Sequence, residues 1–326
     1  MPATSTRNRF TSGTSSKGRE WLAIYSRSLV PAVLFLLVAG AMVTSTGSGL
    51  AVPDWPLSFG KLMPQMQGGV FYEHGHRMVA TTIGMLTIIL AAWTSKVEPR
   101  TWVRRLTWGA LGLVVLQGVV GGVTVLLRLP VWTSALHACL AQGFFLVIVF
   151  LALAHSRSWD MREADLPAES PLPRLALLTT ITIYGQLVLG AVMRHMNAAL
   201  AIPDFPTVFG GVLPPSWTPE IAIHFAHRVG ALVVTLFVLA TAWKALRAPS
   251  ILRAPALAMV LIVAVQLVLG ASIVWTGRNV AVATLHVVVG AVLLALSMVL
   301  TVKSRRSLPK RREGASSLFI PGEVPA

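Results

Sequence analysis

Eight stretches of about twenty residues, each almost free of charge, constrain this chain more than any other feature. They fall at 28–47, 74–94, 106–126, 132–154, 174–193, 222–243, 252–276 and 280–302. A helix of ~20 apolar residues, rising about 1.5 Å each, covers the roughly 30 Å hydrocarbon core of a bilayer. In lipid every backbone polar group must be satisfied within the segment, so runs of this kind become membrane-spanning helices. The expectation is an all-α polytopic membrane protein with eight transmembrane helices and both termini on one side. With 55% hydrophobic and 12% charged residues, the composition excludes an ordinary soluble domain.

The formal net charge of +15 would suggest nucleic acid as partner in a soluble protein. Its distribution argues otherwise. Apart from Lys61, Arg77, Arg128, Arg194, Arg228 and Arg278, all 27 Lys and Arg residues lie in five segments: the N-terminal tail, the loops near 95–105, 155–174 and 244–253, and the tail after 302. The positive-inside rule puts these segments in the cytoplasm and the intervening loops outside. The charge orients the chain in a lipid membrane, and no nucleic acid is implied. Residues 1–27, rich in Ser, Thr and Arg, read as the cytoplasmic tail of a protein of the bacterial inner membrane in preference to a mitochondrial transit peptide. Residues 155–173 read as a cytoplasmic linker and 303–326 as a second tail. The single cysteine, Cys139, rules out a structural disulfide within the chain and a multi-cysteine metal site.

The chain is also written twice. At an offset of 150, AVPDWPLSFG (51–60) meets AIPDFPTVFG (201–210) with six identities, and Gly40 meets Gly190. His76-Arg77 meets His227-Arg228 at 151, while Gln117 meets Gln266 and Leu136-His137 meets Leu285-His286 at 149. Two duplicated four-helix bundles of parallel topology follow, 28–154 and 174–302. The Pro-Asp-aromatic-Pro segments read as stiff turns capping the bundles, and Asp54 and Asp204 are not assigned to catalysis. Gly118 and Gly122 read as a small-residue face for helix packing.

Four of the eight histidines, His76, His137, His227 and His286, fall inside the even-numbered spans, one to two turns from the outer boundary. An isolated imidazole in lipid is expensive, so intramembrane histidines face the bundle interior and have a partner. Two per half, level with each other and repeated, point to ligation of a shared group. A closed zinc or copper site wants about four protein ligands, and each half has only two histidines and no cysteine partner. A planar macrocycle brings four nitrogens and asks only for axial ligands, so bis-histidine haem fits best. Arg77 and Arg228 admit two readings, snorkelling to the interface or pairing with haem propionates. His74 points away from His76, His155 and His195 fall at helix ends where solvated side chains are expected, and His224 shares a face with His227.

The repeat breaks at one chemically loaded position: Glu73 stands where the second half has His224. A helix-terminal acid interacting with the dipole would serve both halves alike. A carboxylate one turn from a ligand in one half only reads as an acid, a base or a stabiliser of developing positive charge. The expectation is a reactive site in the first half and a holding or electron-relaying site in the second.

STGSGLAVPDWPLSFG, the Glu-x-x-His-Arg of Glu73 to Arg77, the duplicated loops and the histidines on helices four and eight together resemble the heme A synthase family over 28–302. The resemblance implies oxidation of the C8 methyl group of haem O to the formyl group of haem A, for cytochrome c oxidase. It also implies a low-spin haem b on His227 and His286, substrate haem on His76 and His137, and an essential Glu73. Partners implied are haem O, haem O synthase and the oxidase assembly machinery; a homo-oligomer is left open. Some members carry a cysteine pair in the first outer loop, which this chain lacks, so the electron acceptor stays open. The rival readings are a di-haem cytochrome that only moves electrons and a haem transporter or chaperone.

Overall fold

In a computed structural model, residues 10–156, 159 and 166–309 are described; the expected tail ends 1–9 and 310–326, and linker residues 157–158 and 160–165, lie outside the described residues. Eight α-helices follow one another: α1 Phe10–Ser45, α2 Gly69–Val97, α3 Thr101–Leu126, α4 Val131–Ala154, α5 Leu172–His195, α6 Pro219–Leu246, α7 Arg253–Trp275 and α8 Val280–Arg306. All eight are long and apolar enough to cross a bilayer, as the sequence predicts. The chain is a multi-pass membrane protein.

The helices overrun the apolar stretches because polar end residues also find partners. Helix α1 starts at Phe10, well inside the expected tail, and its N-terminal part is packed: Leu22, Ala23 and Leu29 are buried, and the buried Ser26 hydroxyl lies 2.7 Å from His155 Nδ1. At the start of α6, Pro219 follows Thr218, whose hydroxyl accepts the Ile221 N–H at 3.3 Å. Asn279 caps α8 by accepting from Ala281 and Val282, and Lys303, Arg305 and Arg306 close its last turn, where cations suit the helix dipole.

Packing closes a ring in each half. In the first, α1–α2, α2–α3, α3–α4 and α1–α4 are in contact; in the second, α5–α6, α6–α7, α7–α8 and α5–α8 are. Leu29, Ile83, Leu90, Phe144, Phe145 and Ile148 fill the first interior, and Ile183, Val238, Met259, Leu294 and Leu300 the second. Large apolar residues such as Ile88, Leu116, Leu236 and Leu261 point outward and are exposed, as a lipid-facing surface requires. Helices in lipid gain little from apolar burial and associate through close packing and interhelical hydrogen bonds. One such bond joins Thr179 to Thr241 at 2.7 Å.

The halves meet through α1–α8, α4–α5 and α4–α8. Arg194, at the end of α5, donates from Nη2 to the Ala41 carbonyl and the Ser45 hydroxyl of α1, both at 2.7 Å, and Ser45 reaches Thr284 of α8 at 3.0 Å. Two expectations are corrected here. Nothing lies near Gly118, and Gly122 receives the Trp55 indole instead of a neighbouring helix. His155 is buried, not solvated, and burial pulls its imidazole down to about 4 against the nearby Glu98 carboxylate.

Candidate functional site

The two outer loops fold alike because the same residues dictate the same turn. Each contains a cis proline bond, at Trp55–Pro56 and Phe205–Pro206, and each carries phenylalanine then glycine at positive φ: Phe59 and Gly60, Phe209 and Gly210. The aspartate accepts from those two amides, Asp54 at 2.8 and 2.9 Å and Asp204 at 2.7 and 2.8 Å. Hydrogen bonding to an ionised carboxylate favours its charged form. The Gly60 and then the Phe59 amide hold the Asp54 carboxyl below its ordinary range, and the Thr207 hydroxyl followed by the Gly210 amide brings Asp204 to about 2. Both aspartates are spent on their own loops.

An arginine from the following helix ties each loop down. Arg77 donates to the carbonyls of Val52, Asp54 and Leu57 at 3.0, 2.8 and 2.9 Å; Arg228 donates to those of Ile202, Asp204 and Thr207 at 3.2, 2.7 and 2.8 Å. In the structure the guanidiniums lie beneath the loops and bond to these carbonyls.

The clamp is completed one turn earlier on the helix, and there the halves differ. Glu73 accepts the Val52 N–H through Oε2 and Arg77 Nη2 through Oε1, both at 2.7 Å, with the carboxylate buried. His224, equally buried, faces the matching donors: Ile202 N–H at Nδ1 and Arg228 Nε at Nε2, both at 3.2 Å. A carboxylate accepts from two donors at once, whereas a neutral imidazole has one acceptor nitrogen. The longer distances in the second half follow from that shortage. His74, expected to stand apart, is buried and lies 2.7 Å from the Ser58 hydroxyl, adding a tie between α2 and the first loop. The second half has Val208 and Phe225 at these positions, so the tie is not repeated there.

The four candidate ligands lie six to eight residues into α2, α4, α6 and α8, about 9–12 Å along the axis and so somewhat deeper than the apolar runs suggested. Each imidazole packs on a glycine of the preceding helix: His76 on Gly40, His137 on Gly121, His227 on Gly190 and His286 on Gly270. A Cβ at those glycines would come within 2.8–3.2 Å of the ring Cε1. A glutamine one turn before three of these glycines donates to the histidine's own carbonyl at 2.8 Å, from Gln117 to His137, Gln186 to His227 and Gln266 to His286. Gln186 also reaches His227 Nδ1 at 3.0 Å. The sequence signal was present as Gln-x-x-x-Gly on α3, α5 and α7, though only the Gln117 and Gln266 repeat stands out by inspection.

The histidine pairs suit a haem. The His227 and His286 ring centres are 6.4 Å apart with planes at 69°. Two imidazoles on opposite faces of one metal ion, with bonds of about 2 Å each, place their ring centres about 6 Å apart. His76 and His137 lie within electrostatic reach of each other. Among the described residues no group of three or more His, Cys, Asp or Glu could hold a metal unaided, so an iron here would draw its remaining ligands from a macrocycle.

Comparison with known proteins agrees with this geometry. Residues 23–298 match the COX15-CtaA family, described as cytochrome oxidase assembly protein. A heme A synthase of Symbiobacterium thermophilum is 35% identical over 224 residues, covering 66% of this chain and 73% of that protein. Heme A synthases of Alkalihalophilus pseudofirmus and Geobacillus kaustophilus are 30% and 29% identical, covering 88% and 90% of this chain and 98% and 95% of theirs.

Proposed function

The chain belongs to the COX15-CtaA family of cytochrome oxidase assembly proteins, and from that membership we propose how its two halves divide the oxidation of haem O to haem A. The enzyme is an oxidoreductase of haem biosynthesis in the cell membrane. In the proposed division His227 and His286 hold a resident haem b, and His76 and His137 hold the substrate. A haem held by His227 and His286 would supply one-electron redox chemistry there.

Glu73 does the proton work. Turning a methyl into a formyl group adds one oxygen, here taken from water, and releases protons and electrons from one carbon, the electrons passing to an external electron acceptor. A carboxylate beside that carbon would accept the protons and stabilise developing positive charge. Arg77 and the Val52 amide hold the Glu73 oxygens in place, so the acid needs no reorganisation when the substrate arrives. Arg77 and Arg228 hold the loops down and would lend their charge to haem propionates. With the basic loops cytoplasmic, both sites lie toward the outer face. Haem O synthase supplies the substrate, and assembling cytochrome c oxidase takes the product.

One observation carries this reading: two clamps built alike, one closed by a carboxylate and the other by a histidine. A pair of haems that only relays electrons, or a carrier that only binds and releases, needs a clamp in each half but gives no reason for a carboxylate in one half alone. The test is expression with and without haem O synthase, followed by extraction and analysis of the pigments. Haem A appearing only on co-expression is the expected result; haem b alone, with haem O and an electron acceptor present, would sink the reading.

A further inference from the structure

We propose that Gln117, Gln186 and Gln266 are positioning residues that brace three of the haem-binding histidines, and that the missing fourth brace makes His76 the ligand that yields when haem is exchanged. The inference rests on the division of substrate and resident haem given above.

The pattern is physical before it is functional. On α3, α5 and α7 a glutamine and a glycine four residues apart share one helix face: Gln117 and Gly121, Gln186 and Gly190, Gln266 and Gly270. The glycine lets the imidazole of the next helix lie against the backbone, and the glutamine donates to the carbonyl of that same histidine. Each pair thus fixes both the depth of the ring and the rotation of the helix that carries it. In an apolar interior no water replaces a lost hydrogen bond, so the brace resists any turn of the helix.

Helix α1 breaks the pattern. Gly40 receives His76 as its counterparts receive their rings, but four residues earlier stands Leu36. The partner position changes with it. Gly230 of α6 leaves the notch that Gln186 fills, since a Cβ there would collide with the amide oxygen, and its counterpart on α2 is Val79. Leu36 and Val79 pack against the apolar interior of the first half. A polar brace with its notch in one half is therefore replaced by two aliphatic side chains packed on the core in the other. Dispersion contacts allow a helix to slide or turn by small amounts where a directed hydrogen bond does not.

The substrate site must admit haem O and release haem A at every turnover, while a resident haem is to stay. The braced pair, His227 and His286, suits retention; the half-braced pair, His76 and His137, suits exchange.

The experiment follows haem transfer from the purified full-length protein to excess apomyoglobin, together with the low-spin electron paramagnetic resonance signal. Gln186→Met keeps the side-chain length and removes the donors. It should release haem b roughly tenfold faster, the factor one buried hydrogen bond is worth, and shift the low-spin signal. The reciprocal Leu36→Gln/Val79→Gly chain should release haem from the first half roughly tenfold more slowly. Wild-type release with an unaltered signal in Gln186→Met would overturn the proposal, whether or not the reciprocal chain folds. His227→Ala separates the two levels: if it abolishes the low-spin haem while Gln186→Met changes nothing, the brace is refuted and the ligand assignment stands. If His227→Ala leaves the low-spin haem intact, the assignment itself fails.

Discussion

Replacing Gly190 with alanine tests the glycine seats directly. The added Cβ would lie 3.0 Å from His227 Cε1, whereas carbon atoms prefer about 3.5–4.0 Å. The ring must retreat by roughly half an ångström. Overpacking of this kind costs about 1–3 kcal/mol. Against it, removing a glycine from a helix interior returns about 0.5–1 kcal/mol. The net destabilisation of about 0–2.5 kcal/mol leaves the fold intact but moves the proposed ligand by about a quarter of a ~2 Å metal–nitrogen bond. The contacts grade the series: 2.8 Å at Gly121, 3.0 Å at Gly40 and Gly190, and 3.2 Å at Gly270. Gly84, with nothing within 4 Å, is the control, and its alanine variant should be as stable as the parent or slightly more so. Haem b per chain, the low-spin absorbance and a thermal melt in detergent read the outcome. Gly190→Ala should lose haem b with a melt near the parent's, and Gly270→Ala should lose less. Full haem content and an unshifted spectrum in Gly190→Ala would refute the idea that these glycines seat the ligands.

Glu73→Ala should abolish haem A formation and leave the haem b spectrum, because the carboxylate belongs to the first half alone; loss of all pigment would make it a structural acid. Arg77→Ala leaves a buried carboxylate without its cation and should cost about 3 kcal/mol, whereas Arg228→Ala leaves a neutral imidazole and should cost about 1 kcal/mol; equal losses in a chemical melt would contradict that asymmetry. His286→Ala should remove the low-spin haem b signal, and retention of that signal would refute the pairing of His227 with His286. Folding lowers the Asp204 carboxyl, so the support it gives its loop is complete above the ordinary carboxylate range and is withdrawn as the pH falls toward about 2. Protection of the Phe209 and Gly210 amides against exchange, relative to the intrinsic rate at each pH, should therefore be high near neutral pH and fall toward that value. Asp204→Asn, which keeps one acceptor oxygen, should lower it for at least one of the two amides at all pH values.

Much of the site was legible because duplication makes single residues speak twice. The four histidines announced themselves as polar intruders in apolar runs at matching positions, and Glu73 as the mismatch. The Arg77 and Arg228 partners were not legible, since a guanidinium beside a membrane interface has many acceptors within its reach. Which it takes depends on where the loop backbone folds back. His155 was misjudged for the same reason: a histidine near a helix end is solvated unless another segment covers it, and here Ser26 does. Arg194 was counted only as a charge on the outer side, and its role as a tie between α5 and α1 depends on the two halves meeting there.

Sequence alone determined the eight spanning helices, the repeat and the four histidines that are candidate ligands, because lipid enforces long apolar runs and makes every ionisable exception costly and therefore conspicuous. Only the tertiary structure decided what holds those ligands: glycine faces four residues from glutamine donors, and loops folded back onto Glu73 and His224. These are contacts between one helix and the next, or between a helix and the loop before it. Helical periodicity says which residues share a face, and packing alone says what that face meets.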